Sequence, residues 1–497
     1  MRRRSFIKSS LVASLASSAS LLTSTVAAQS SRTMLEKIWD SHVVANLGGE
    51  TDLLHVDLHF IHDLHAGQFR ALERDGLLVR RPELTYAVAD HSVSTLPGRN
   101  LESSPTGRRL AGELIASARA LDIESVGIND TGQGIVHMIG PETGLTQPGK
   151  LIVCGDSHTC TQGALGSMAW GIGSTEVRNV LITQTIIQKR PATLRINYVG
   201  SLNPWVTAKD VILYTIGKLG ADAGLGFAVE YAGPAIRSMS MEERLALCNL
   251  SIEMGSRIGM VAPDDSTYQY LVGKQYSPKE QYWDNAMAYW QSLPSDPGSV
   301  FDREETIDVS EIEPQVTWGT SPEHVVNVTE NIPLPEADPA NQLAYQAALD
   351  YTGLTAGSEI AGTPIQRVFI GSCANSRIGD LRLASEVVRG RQVANGVEAW
   401  VVPGSQHVKR QGEAEGIDQV FTAAGFEWRE PGCSRCLAAN GEVVPPGEHC
   451  VSTSNRNFIG RQGRDSITHL ASPATAAAAA IAGRIVDVRR LMAGELA

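Results

Sequence analysis

Three cysteines constrain this chain more than any other feature. Cys373 stands alone in Gly371–Arg377, GSCANSR, while Cys433 and Cys436 form a C-x-x-C pair in Pro431–Cys436, PGCSRC. Cys373 follows PIQRVFI, whose β-branched run predicts a buried strand, so its thiol belongs in the turn at that strand's carboxyl end. Open α/β sheets present their ligand-binding groups at this end. The pair lies in a loop marked by Pro and Gly after FEWRE, so the two segments can converge on one site.

The number of thiols narrows the chemistry. A closed zinc site needs four ligands, usually as two local pairs, and only one pair is present. A disulfide framework belongs to a small chain with an even cysteine count, whereas this chain has 497 residues and seven cysteines. Three cysteines suit a cubane iron–sulfur cluster that leaves one iron without a protein ligand, although cluster sites more often use four. Such an iron is a Lewis acid that takes substrate oxygens directly. In the alternative reading Cys373 is a small buried hydrophobe and the C-x-x-C pair is redox-active or incidental. Spacing alone does not separate the two.

The flanking residues do. GSCANSR, PGCSRC and STSNRNFIGRQGR (Ser452–Arg464) together resemble the aconitase superfamily, and within it the large, catalytic subunits of the 3-isopropylmalate dehydratase family. The resemblance runs from about Met34 to the end without a long unmatched insertion. It implies an α/β fold of three aconitase-type α/β/α subdomains, over 34–191, 192–312 and 320–490. They would surround a 4Fe-4S cluster held by Cys373, Cys433 and Cys436, with one open iron.

Residues 1–28 stand apart from this. Arg3-Arg4-Ser5-Phe6-Ile7-Lys8 resembles a twin-arginine export motif, a serine-interrupted apolar stretch follows, and Val26-Ala27-Ala28 offers a small-residue cleavage site. The stretch is too short and polar for a good transmembrane helix, so no stable membrane anchor is expected. Export to the periplasm is the expectation. Translation from Met34, where family members usually begin, is the cytoplasmic alternative. The formal charge is -12, and it becomes more negative without residues 1–28, which hold Arg2, Arg3, Arg4 and Lys8 but no acid. An acidic chain suits nucleic acid poorly. A carboxylate substrate must then meet locally placed arginines.

In chain order, Leu53–Phe60 alternates like one strand and His62–Leu72 continues towards a helix with Gln68. The family carries Thr-Ser-Pro-Gln where this chain has His65-Ala66-Gly67-Gln68, and the resemblance places Gln68 near the substrate. Tyr86–Ser94 ends a strand with Asp90-His91. A carboxylate there can hold an imidazole in one tautomer and raise its basicity; alone, such a pair is more often a capping feature. The resemblance implies His91 as the acid and Asp90 as its orienter, and matches His137 to an active-site histidine. LIVCGDSHTCT predicts a strand and glycine turn that gather Asp156, Ser157 and His158 on one loop, where they can bind a substrate hydroxyl and metal-bound water. Gly163, Gly166, Gly171 and Gly173 are expected to admit close backbone approach to the cluster. Cys154 and Cys160 are expected to be non-ligands, and Cys450 structural.

RINYVGSLNPWVTAKDVILYTIG predicts a strand, a turn and a helix opening at Thr207 with Asp210 in capping position. Helical spacing over Leu245–Gly259 puts Asn249 and Glu253 on one face. That pattern alone suits an exposed polar face; the resemblance places both near the iron. It also matches Asn455, Arg456 and Arg461 to substrate-carboxylate residues, a task for which the planar guanidinium fork is suited. Arg435 puts a cation beside the cluster, which should raise its reduction potential. Pro473 into RIVDVRRLM predicts one terminal helix.

The chain ends without the swivel domain of single-chain aconitases, which by resemblance carries the serine base. A separate small subunit is therefore expected, with a small hydroxy-dicarboxylate as substrate. The implied reaction is the leucine-biosynthetic isomerisation of 2- and 3-isopropylmalate by dehydration and rehydration. Two alternatives stay open: an exported hydratase for a citrate-, homocitrate- or methylmalate-type substrate, and a non-catalytic iron-sensing or binding protein.

Overall fold

The computed structural model describes residues 31–495, so the twin-arginine stretch lies outside the described residues. Three parallel sheets organise the chain. The first has the order Glu124–Val126, Thr85–Val88, Leu58–His62, Leu151–Cys154, Met168–Gly171. The third has the order Glu427–Trp428, Glu398–Val401, Arg367–Ile370, His449–Ser452, Ile467–Leu470. Both are wound outward in two directions from a central pair of strands, which opens a crevice at the carboxyl ends of that pair. The second sheet is four-stranded, in the order Ile258–Val261, Phe227–Ala232, Ala192–Val199, Arg303–Asp308. Its edge strand Arg303–Asp308 lies within the expected 192–312 unit.

Short apolar runs form the central strands because helices and loops cover both faces of a parallel sheet. All four residues of Leu151–Cys154 are buried, as are the last three of Arg367–Ile370. One apolar core, including Trp39, Trp170, Tyr198 and Tyr231, joins the first two sheets. A second packs beneath the third sheet around Trp318, Phe421 and the alanine-rich helix Pro473–Ala482. The helix Ala208–Leu219 opens with the expected capping box. Asp210 accepts from Thr207 N and Thr207 Oγ1, both at 2.8 Å. Its other oxygen accepts from Gln315 N at 2.8 Å, so the cap also ties in the hairpin of Gln315–Thr317 and Val325–Asn327.

Several expectations change. Leu53–Phe60 is not one strand: Thr51–His55 joins an antiparallel sheet, and Leu58–His62 enters the first parallel sheet after a break at Val56-Asp57. The helix carrying Asn249 ends there, and Glu253 lies on a following 3-10 turn, Leu250–Met254, stopped by Gly255 at φ 85. The terminal helix is two helices, because Gly483 turns left-handed at φ 69 before Val488–Met492 begins. Gly163 does not face the cysteines. A methyl there would strike the backbone of Gly259 in the second sheet, and one at Gly171 would strike that of Asp156 and Ser157. These glycines serve packing between strand ends and neighbouring backbone. Gly166, against Pro263, does the same, while Gly173 caps the helix Ser174–Thr183. No helix of the described residues is long and apolar enough to cross a membrane.

Candidate functional site

The crevice of the first sheet gathers carboxylates and imidazoles. Asp90 and His91 follow strand Thr85–Val88, and Asp156, Ser157 and His158 follow Leu151–Cys154. Asp90 Oδ1 lies 2.6 Å from His91 Nδ1, while Asp90 Oδ2 accepts from Val136 N at 2.9 Å. The ring is thereby fixed with Nε2 aimed at Asp156 Oδ2, 3.2 Å away. Asp156 is the hub: His137 Nε2 reaches its Oδ1 at 3.1 Å and His158 Nδ1 at 3.4 Å. His137 gets there from the first turn of helix Val136–Thr143. His158 Nε2 then meets Glu253 Oε1 at 2.8 Å, and Arg456 Nε meets the same oxygen at 2.7 Å. Asp90, His91, Asp156, His158, Glu253 and Arg456 thus form one unbroken polar chain across all three sheets.

Burial pushes the His91 imidazole down, but the Asp90 charge, the neighbouring Cys433 sulfur and hydrogen bonds with Asp156 and Asp90 hold it well above its ordinary value. Burial pushes Asp156 up, and the charge and hydrogen bond of His137, with hydrogen bonds from His158 and His91, hold it well below the carboxylate range. For His137 burial prevails over the attraction of Asp156, and its value is lowered. Glu253 is depressed because the His158 hydrogen bond and charge outweigh burial. At neutral pH the site therefore holds a protonated His91 between Asp90 and the ionised Asp156, a proton donor whose orientation is locked.

The crevice of the third sheet gathers thiols, amides and guanidinium groups. All seven cysteines are free. Cys154, Cys160, Cys248 and Cys450 are 0% exposed, whereas Cys373, Cys433 and Cys436 are each 6% exposed. Cys433 and Cys436 share one turn, Cys436 N donating to Cys433 O at 2.9 Å, and Asn455 links Cys436 to Cys373. Asn249 Nδ2 donates to Cys373 Sγ at 3.2 Å and Asn455 Nδ2 to the same sulfur at 3.5 Å. Asn455 Oδ1 lies 3.3 Å from Cys436 Sγ, with Ser372 Oγ at 3.2 Å and Arg461 Nη2 at 3.8 Å from it. Cys433 N donates to Asp90 O at 3.0 Å, which joins the two crevices.

Two residues beside the thiols, Ser372 (φ 76) and Ser434 (φ 49), are left-handed without being glycine, a strained backbone of the kind functional loops hold. Burial pushes the Cys373 thiol up to about 12, against the Asn249 hydrogen bond and the Arg377 charge. Cys373 and Cys436 receive N–H donors and none of the three thiols forms a disulfide; such sulfurs suit a metal–sulfur cluster, whose charge would deprotonate them.

Gln68 is the predicted site residue without a hydrogen bond to the others among the described residues. It is half-buried in helix Gly67–Arg74 and makes no side-chain hydrogen bond among the described residues. Ser157 is half-buried, with Oγ 3.5 Å from His158 Nδ1. Arg435 is not a free cation: it pairs with Glu398 at 2.5 Å and stacks 3.2 Å over the Trp400 ring. Its charge is largely offset, so the expected rise in cluster potential loses its basis. Asp63 went unnoticed in the sequence. Fully buried, it accepts from His91 N at 3.2 Å and Ser92 N at 2.7 Å and so shapes the Asp90-His91 turn. Its place just past strand Leu58–His62 was the available signal. His62 stacks on the His91 ring at 4.4 Å.

Comparison with known proteins gives this chain a family. The 3-isopropylmalate dehydratase large subunit 1 of Bradyrhizobium diazoefficiens is 57% identical over 463 residues, covering 93% of this chain and 97% of that protein. The solved holo-form of Thermococcus kodakaraensis aconitase X aligns at 12% identity and TM-score 0.44, over 85% of this chain and 87% of that one. The sequence model of the aconitase family (aconitate hydratase) matches residues 36–483, and the chain belongs to that family.

Proposed function

We propose that this chain is the large subunit of a hydro-lyase that interconverts 2-isopropylmalate and 3-isopropylmalate, a leucine-biosynthetic step. The unbroken polar chain from Asp90 to Arg456, joined to the cysteine loop by the hydrogen bond from Cys433 N to Asp90 O, carries the reading. The identity to the Bradyrhizobium large subunit supports the substrate, and its name supports a separate small subunit as partner. Family membership implies a 4Fe-4S cluster. Cys373, Cys433 and Cys436 would hold it, and when bound its unligated iron supplies a Lewis acid for the substrate's hydroxyl and one carboxylate.

The protein side of the chemistry follows from the geometry. Arg456 and Arg461 bind carboxylate, the first steadied by Glu253. Asn249 and Asn455, fixed by their mutual 3.2 Å hydrogen bond, orient the sulfurs. In dehydration a base of the small subunit removes the proton next to a carboxylate. The carbon–oxygen bond breaks, and the His91 Nε2 proton leaves with the hydroxyl as water. Asp90 stabilises the imidazolium beforehand, and Asp156, with His137 and His158, holds the water for return to the neighbouring carbon. Rehydration there yields the isomer.

A second reading, a related hydroxy-dicarboxylate as substrate, is favoured by His65. Its half-buried ring lies against Gly155, directly before Asp156, where an added methyl would strike it. We further propose that the twin-arginine stretch directs export; fractionation of tagged protein, with Arg3→Lys and Arg4→Lys as control, tests this. An anaerobic hydration assay of the chain co-expressed with its small subunit, over a panel of hydroxy-dicarboxylates, tests the function. Turnover of isopropylmalate is expected. Turnover of another dicarboxylate alone would replace the substrate, and a loaded but inert complex would favour a sensing role.

A further inference from the structure

Lys209 is the one lysine among the described residues that is buried completely, at 0% exposure. It lies in the first turn of helix Ala208–Leu219, where the helix dipole already opposes a positive charge. Its ammonium donates to two backbone carbonyls, Ser454 O at 2.5 Å and Thr453 O at 3.3 Å. No carboxylate among the described residues pairs with it. Its neighbour Asp210 spends both oxygens on Thr207 and Gln315 and is pushed by burial to about 6. Asp380 is pushed by burial to about 7 and engages Asn375 and Arg377 N.

A buried, unpaired ammonium is costly, and such charges are ordinarily matched by an opposite one. The loop it grips ends in Asn455, whose amide touches both Cys373 Sγ and Cys436 Sγ. Burial lowers the Lys209 ammonium to about 8, and the strongest attraction opposing that fall is the negative charge that Cys436 and Cys373 carry once deprotonated.

We propose that Lys209 is a positioning residue that serves as the internal counter-charge of the three-thiolate site and clamps the Thr453–Arg456 loop from the second sheet's helix. This rests on the cluster reading above. It also makes the empty site the unfavourable state: the ammonium is uncompensated until anionic sulfur arrives.

The test uses the full chain, apo and after anaerobic loading with iron and sulfide, as wild type, Lys209→Met and Lys209→Gln. The glutamine keeps a donor for the loop carbonyls while losing the charge. Thermal unfolding of the apo chain should give variants that melt at or above wild type. The loaded variants should gain less in Tm than wild type does, hold iron less well against a chelator, and show a cluster midpoint potential moved to more negative values. Equal falls in apo and loaded Tm, an unmoved potential, or variants that do not fold without cluster would assign a packing role and overturn the proposal. A wild-type chain that binds no cluster would overturn it together with the reading on which it rests.

Discussion

The first and third sheets have the same strand order and open their crevices at the same topological point, yet they present different chemistry. The first offers carboxylates and imidazoles that move and hold protons. The third offers thiols, with the amides and guanidinium groups that hydrogen-bond sulfur and bind carboxylate. Topology therefore dictates where a site forms, and the few residues after each strand dictate what it does. The second sheet contributes no strand end. It sends Asn249 and Glu253 into the gap from a helix and a 3-10 turn, and Glu253 is the joint, bonded to His158 of one crevice and Arg456 of the other.

The largest effect should come from removing the sulfur side alone. Cys433→Ser should lose cluster iron and all turnover, whereas Cys450→Ser, fully buried in strand His449–Ser452, should keep both. Iron analysis beside the assay checks this. Removing the proton side alone should give the converse. Asp156→Asn should retain iron but lower kcat by ~10²–10⁴, because His91, His137 and His158 lose their common anion.

The joint should respond differently from either side. Arg456→Lys keeps a charge but loses the planar fork, so KM should rise more than kcat falls, by roughly tenfold if about 1.4 kcal/mol of carboxylate binding is lost.

A further effect is one of pH on stability, and it should appear in both sheets alike. Burial lowers His59 in the first sheet and His469 in the third to about 3. Both are neutral in the folded chain and would be protonated below about 6.5 once unfolded. Their contribution is fully present above that pH and is lost as pH falls from 6.5 towards 3, by ~1.4 kcal/mol per pH unit for each at most. Denaturant melts across that window should show a steep acid decline. Substituting either histidine by a non-titrating residue should flatten it.

How far the site could be read from sequence depended on whether its parts were local. Asp90-His91, Asp156–His158 and the cysteine motifs each sit within a few residues of a strand end, so a strand and a turn sufficed to place them. The Glu253–Arg456 pair spans two sheets, and no periodicity predicts such a contact. Asp63 was overlooked because its partners are backbone and hydroxyl groups of another strand's turn. Arg435 misled because its position beside the thiols was legible while its partner Glu398, on a different strand, was not. Leu53–Phe60 read as one strand because alternation carries through Val56-Asp57, where the chain changes sheets.

The central claim is that the two crevices act as one site around a cluster with a single protein-free iron. Mössbauer spectroscopy of the two-subunit complex, loaded anaerobically with ⁵⁷Fe, tests it most directly. The account predicts one iron subsite distinct from the others, whose signal shifts when isopropylmalate is added and stays in place when a monocarboxylate is added instead. A complex that binds no cluster, or one whose irons are all equivalent and indifferent to the dicarboxylate, would contradict it.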